Sequence, residues 1–242
     1  MRKCSIWVCG LVLLVGGWGA RPAGAEVPRP VTVQAVAQQI ETKMRSSFEL
    51  TNPRIEVVPF DDDSYTQQGR FQWIALSADL VKQENVSSRD FFFKVYDVTL
   101  NLDHLFAERI LVDKLSSGRS VISARIDETD MNAAIAHGSN WTRNSSIDDM
   151  RIEFLDGAVR FTGKYKAFFG SDLEMLGTLS VTDDQAVNFN PTAAKINSIP
   201  LPAGPLKGLL KKLNPIFNFN KVPLQPTIET VTVRPGYILL RG

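Results

Sequence analysis

The sequence predicts an α+β fold: a long, strongly twisted antiparallel sheet wrapped around an N-terminal amphipathic helix, with short additional helices. Three observations carry this expectation. One early stretch repeats apolar residues at helical spacing, the segments after it alternate with period two, and the links between those segments are short and rich in turn formers.

The chain opens on Arg2 and Lys3, runs through an apolar stretch from Ile6 to Trp18, and reaches Ala23-Gly24-Ala25 after Arg21 and Pro22. That is the three-part layout of a cleavable secretory signal, and the apolar stretch falls short of the ~20 residues that span a bilayer as a helix. Residues 1–25 are expected to be a signal peptide and residues 26–242 one domain, secreted or held in the periplasm or cell envelope. Both cysteines, Cys4 and Cys9, lie in the leader. The mature chain is therefore expected to carry no disulfide and no thiolate chemistry.

Val33, Val36, Ile40, Met44 and Phe48 follow at helical spacing, with Gln38, Gln39, Glu41, Lys43 and Arg45 between them. Residues 31–49 read as one helix laying an apolar stripe on a core. Segments 54–60, 69–80, 90–102, 119–127, 150–155, 158–169, 173–181, 186–189, 227–233 and 237–240 read as strands. Their links include Asp61-Asp62-Asp63-Ser64, Ser116-Ser117-Gly118, Asp156-Gly157, Asp183-Asp184 and Pro235-Gly236, all turn chemistry, and sequential strands on short turns pair antiparallel. Segment 90–102 would extend roughly 43 Å at ~3.3 Å per residue, and antiparallel strands of that length coil. Two short helices interrupt the strands. Residues 129–136 begin with capping side chains and stop before Gly138; residues 205–213 set Leu206, Leu209, Leu210 and Leu213 against Lys207, Lys211 and Lys212.

Composition narrows the function. Lys plus Arg total 27 against 26 acids, and the leader removes Arg2, Lys3 and Arg21 but no acid, so a nucleic-acid partner is not expected. Gly157 and Gly163-Lys164 lack phosphate-loop spacing, and Asp61-Asp62-Asp63 lacks the Gly and Glu of a calcium loop. His104 and His137 are the two imidazoles. Asp127, Glu128 and Asp130 near His137 admit a carboxylate and histidine site, but Asp130 also fits a helix cap and His137 the last turn of that helix. No catalytic residue, metal site or cofactor is assigned, and the chain is not read as an enzyme. What remains is an excess of apolar side chains on strands: Phe91-Phe92-Phe93, then Phe161, Tyr165, Phe168 and Phe169, then Ile216-Phe217 and Phe219. These form either an ordinary core or the lining of an apolar cavity.

Four features follow one another along the chain: the amphipathic helix after the leader, Gly69-Arg70-Phe71 opening a strand through Ile74-Ala75-Leu76-Ser77-Ala78-Asp79, the stretch Ile126-Asp127-Glu128-Thr129-Asp130-Met131-Asn132-Ala133-Ala134-Ile135, and a Leu/Pro/Gly-rich short helix before a terminal hairpin. In this order they resemble the LmeA-like family of bacterial phospholipid-binding cell-envelope proteins. Met131 replaces the family's usual Leu. The resemblance implies a fold similar to tubular lipid-binding domains, phospholipid as partner and an envelope role in lipid transfer or maintenance. It carries no binding residue across, and Asp130 and Asn132 read as structural caps. From apolar alternation, the expected groove residues are Ile40, Met44, Phe48, Phe91, Phe93, Phe161 and Phe169. Leu206, Lys207, Leu210, Lys211 and Lys212 are expected to touch an anionic membrane surface, with a core-packed helix and a wet lysine face as the other reading. An envelope scaffold whose apolar surface docks a protein is the alternative function.

Overall fold

The computed structural model describes residues 27, 29–83, 86–107, 114–137, 147–166, 170–183, 185–219 and 226–242. The expected leader and Phe169 lie outside them.

Helix α1 spans Val33–Ser47. The Thr32 hydroxyl caps it by accepting the Ala35 N–H at 3.1 Å, and the backbone turns extended at Phe48. Strands β1 (Glu49–Thr51) and β2 (Arg54–Pro59) follow, and both pair with successive parts of β3 (Arg70–Gln83). The left-handed Asn52 (φ 49°) turns the chain from one to the other. β3 and β4 (Val86–Leu100) are 14 and 15 residues long and pair along nearly their whole length. β4 then meets β5 (Lys114–Ser116) and β6 (Ser120–Asp127), and β6 pairs with β14 (Tyr237–Arg241), which pairs with β13 (Thr230–Arg234). These eight strands make one curled antiparallel sheet.

A second sheet has six strands: β7 (Ile147–Phe154), β8 (Val159–Tyr165), β9 (Ser171–Val181), β10 (Ala186–Ile196), β11 (Ile199–Pro200) and β12 (Phe217–Asn218). The expected architecture had one long sheet; the strands divide into two. Part of the cause is α4 (Glu128–Ala136), which separates β6 from β7 and occupies the backbone edge of β7 with its own side chains. An open strand edge is a row of unmet donors and acceptors, so an element that covers it ends the sheet there.

Two segments differ from their sequence reading. Asp61-Asp62-Asp63-Ser64 leads into a one-turn helix, α2 (Asp63–Gln67), because the Asp62 carboxylate accepts the Ser64 N–H at 2.8 Å. That hydrogen bond holds the Asp62 carboxyl below its ordinary pKa. The long strand ends at Leu100 rather than 102, because Asn101 accepts the His104 N–H and starts α3 (Leu102–Phe106). α5 spans Ala203–Leu213.

Two buried clusters result. In the first, Val36, Ile40, Met44 and Phe48 of the α1 stripe lie among Phe71, Ile74, Leu76, Phe93 and Val95 of β3 and β4. In the second, side chains of β6, β13 and β14 pack with those of the second sheet, α4 and α5, and Phe161 meets Phe189 edge to face at 4.8 Å. The opposite face of β3 and β4 is polar-aromatic, with the Lys94 ammonium 3.6 Å from the Trp73 ring centre and 4.9 Å from that of Tyr96. Such contacts let large rings stay half in water.

Candidate functional site: apolar cores and their junction

The sequence-named groove residues do not form one continuous lining. Ile40, Met44, Phe48 and Phe93 are buried together in the first cluster, and Phe161 is buried in the second. Phe91 is half-buried and packs against both. The alternation of β4 explains the split between neighbours: Phe91, Phe93 and Val95 face inward, while Phe92 stays 37% exposed on the other side.

Two further side chains share the position of Phe91 between the cores: Val181 at the end of β9 and Phe219 just beyond β12. The Phe219 N–H donates to the Gln185 carbonyl at 3.0 Å, which fixes its ring beside that of Phe217, 6.3 Å away. The spacing of Ile216, Phe217 and Phe219 offered a signal for the last of these. Val181 had none, since one valine at a strand end looks like any other.

α5 turns Leu209 and Leu213 inward, where both are buried, while Leu206 and Leu210 are half-buried against the same cluster. Lys207, Lys211 and Lys212 are exposed. Lys211 and Lys212 lie in the last turn, where a positive charge complements the helix dipole by about 0.3–1 kcal/mol. Ile199, in the short strand ahead of α5, is 70% exposed.

The Asp127 to Asn132 stretch is a set of clamps between elements rather than a set of caps. Asp127 holds the N-cap position of α4 without a side-chain capping bond. Its carboxylate meets Arg89 at 2.9 Å and Arg125 at 2.6 Å, and Asp130 meets Arg89 at 3.1 Å. Glu128 accepts the Phe154 N–H at 2.7 Å. The Asn132 amide accepts the Ile152 N–H at 2.9 Å and donates to the Ile152 carbonyl at 2.8 Å, which serves as a rung of β ladder on the edge of β7. Asn214 does the same at Phe189 of β10, and Gln67 at Val31 ahead of α1. The carboxylates near His137 thus hold strands and helices together, and His137 itself sits at the C-cap of α4.

Lys43, one of the polar residues that fall between the stripe positions of α1 in the sequence, is only 7% exposed and lies on the buried face with Ile40 and Met44. Its ammonium donates to the Ala107 carbonyl at the end of α3. Burial disfavours the charged form and lowers the Lys43 pKa from the ordinary 10.5. The unfolded chain therefore binds more protons between the lowered value and 10.5, so this group makes stability rise with pH across that interval. Lys43→Met is expected to flatten that rise. Melting temperatures of wild type and variant over an alkaline pH series measure it, and parallel curves would place the ammonium in water.

The described residues thus form an antiparallel β protein with two apolar cores, half-buried apolar side chains at their junction, and an acidic motif that makes structural clamps. The chain is a member of the LmeA-like phospholipid-binding family, which matches residues 30–242. No curated protein and no solved structure matched significantly.

Proposed function

We propose that the protein is an exported, non-catalytic phospholipid-binding protein of the cell envelope that shelters acyl chains along its apolar cores and acts in lipid transfer or envelope maintenance. Membership of a phospholipid-binding family over residues 30–242 carries the reading. In this proposal the first sheet curls around α1, and the acyl path runs through the junction at Phe91, Val181 and Phe219, between the core that holds Ile40, Met44, Phe48 and Phe93 and the core that holds Phe161. Burial contributes ~0.8 kcal/mol per CH₂, so a few methylenes outweigh any single headgroup contact. Lys207, Lys211 and Lys212 of α5, which are exposed as Ile199 is, would meet anionic headgroups at about 1 kcal/mol each.

The test is delipidation followed by titration with a fluorescent phospholipid, added from detergent-free solution and from anionic vesicles. Saturable binding by wild type is expected. Changing the three lysines to Gln is expected to slow uptake from the vesicles in a salt-dependent way and to leave uptake from solution unchanged. No saturable binding by wild type would remove the lipid reading and favour a scaffold that docks a protein through its apolar surface.

A further inference from the structure

The outer face of the second sheet carries a cleft of 430 Å³ bounded by β7, β8, β9, β10 and the turn after β10. Strand register builds its floor. Arg151 stands opposite Thr162, Thr162 opposite Glu174, and Glu174 opposite Lys195. Opposed residues project from the same face, so these four side chains form one row across four strands. Three strand spacings of ~4.8 Å set the Cα atoms of Arg151 and Lys195 roughly 14 Å apart, a span that two long basic side chains can close over a small anion. A bulge in β7 between Asp148 and Arg151 brings Asp149, at φ 50°, to the same cleft.

The charges around the cleft fall into two sets. Lys164 pairs with Asp172 at 2.5 Å, and Glu174 with Arg160 at 3.4 Å. By contrast, Arg151, Lys195 and Asp149 have no ion pair or side-chain hydrogen bond among the described residues, and neither does the Thr162 hydroxyl. Elsewhere on this face the acids and bases are matched, as in Arg160 with Glu153 at 2.7 Å and Lys166 with Asp148 at 2.8 Å. Two unmatched cations and one unmatched carboxylate therefore share one concave site.

We propose that this cleft binds a phosphate ester carrying an ammonium group, of which phosphoethanolamine is a minimal example. The phosphate sits between Arg151 and Lys195 over Thr162, with the Glu174 carboxylate of the same row drawn aside to Arg160, and the ammonium lies against Asp149. A phosphate monoester carries about −1.5 to −2 at neutral pH, which two cations offset. The Arg151 guanidinium offers a planar fork for two phosphate oxygens, Lys195 a point charge, and Thr162 a neutral donor between them. The group occurs free as this monoester and, as a diester with a single negative charge, in the headgroup of a phospholipid. The cleft lies on the face of the sheet opposite Phe161 and its cluster, so the proposal does not rest on the acyl path.

Calorimetric titration of the full chain with phosphoethanolamine is expected to show one saturable site. Arg151→Gln and Lys195→Gln are each expected to weaken it at least ten-fold, about 1.4 kcal/mol. Asp149→Asn is expected to weaken phosphoethanolamine binding while leaving inorganic phosphate binding unchanged or tighter. Arg151, Lys195 and Asp149 are exposed, so thermal melts of the variants should match wild type. Flotation with vesicles containing phosphatidylethanolamine, compared with phosphatidylcholine alone, separates the sources. Loss of that preference in Arg151→Gln assigns the site to a lipid headgroup, and no preference alongside intact solution binding assigns it to a soluble ester. Absence of saturable binding by wild type at millimolar ligand, or equal affinity in the Arg151 and Lys195 variants, overturns the proposal. Fluorescent phospholipid uptake, read in parallel, reports on the acyl path and fails or succeeds independently.

Discussion

Phe93→Ala is expected to destabilise the fold by about 3–5 kcal/mol, the range for removing a fully packed aromatic ring. Phe93 is 3% exposed and lies in the first core with Ile40, Met44 and Phe48, so the truncation leaves a cavity that a helix anchored to the sheet cannot collapse to fill. For a chain of this size about 2–4 °C of melting temperature corresponds to each kcal/mol, so a fall on the order of 10 °C is expected by calorimetry. Phe91→Ala provides the contrast two residues earlier on the same strand. Its ring is half-buried between the two cores, so the stability loss is expected to be smaller and the loss of phospholipid affinity larger. A larger melting shift in Phe91→Ala than in Phe93→Ala, with phospholipid affinity unchanged, would place the ligand path away from the junction.

Asn132→Leu is the second large effect. The substitution removes the paired bonds to Ile152 and a 3.1 Å bond to the Glu128 carbonyl, and it leaves an N–H and a C=O of an edge strand facing an apolar side chain. An unmet buried donor or acceptor costs about 1–3 kcal/mol, so a loss of roughly 2–5 kcal/mol is expected. It is read as a lower urea midpoint with an unchanged slope. Asn132→Asp keeps the acceptor for the Ile152 N–H but turns a carboxylate oxygen towards the Ile152 carbonyl, so it is expected to be no milder. Arg89→Ala, which breaks only ion pairs of a half-exposed guanidinium, is expected to cost under about 1 kcal/mol. If Arg89→Ala costs as much as Asn132→Leu, electrostatics rather than edge coverage holds α4 in place.

Much of the secondary structure was legible because period and capping are local. The stripe of Val36, Ile40 and Met44 predicted α1, and period-two alternation predicted β3, β4, β6, β8 and β9, with ends displaced by a few residues. The ends moved where a single polar side chain changed the backbone, as Asn101 does for α3 and Asp62 for α2. The order of motifs also sufficed to recognise the family, since a family pattern is a property of the chain read along its length.

Position in space is a different kind of quantity. Phe91, Phe92 and Phe93 are chemically equivalent in the sequence, and the pleat with the neighbouring core separates them into junction, surface and core. Lys43 falls between the stripe positions in the sequence, and α3 brings the Ala107 carbonyl over it. Asp130 and Asn132 carry the same residue types as helix caps, and only the nearness of Arg89 and of the β7 edge makes them clamps. Arg151 and Lys195 are 44 positions apart in the chain, and two intervening strands in register place them in one row. Local pattern determined which segments form helices and strands because hydrogen bonding and side-chain period act over a few residues. Which side chains meet was decided by strand register and sheet division, because those bring together residues that are remote in sequence.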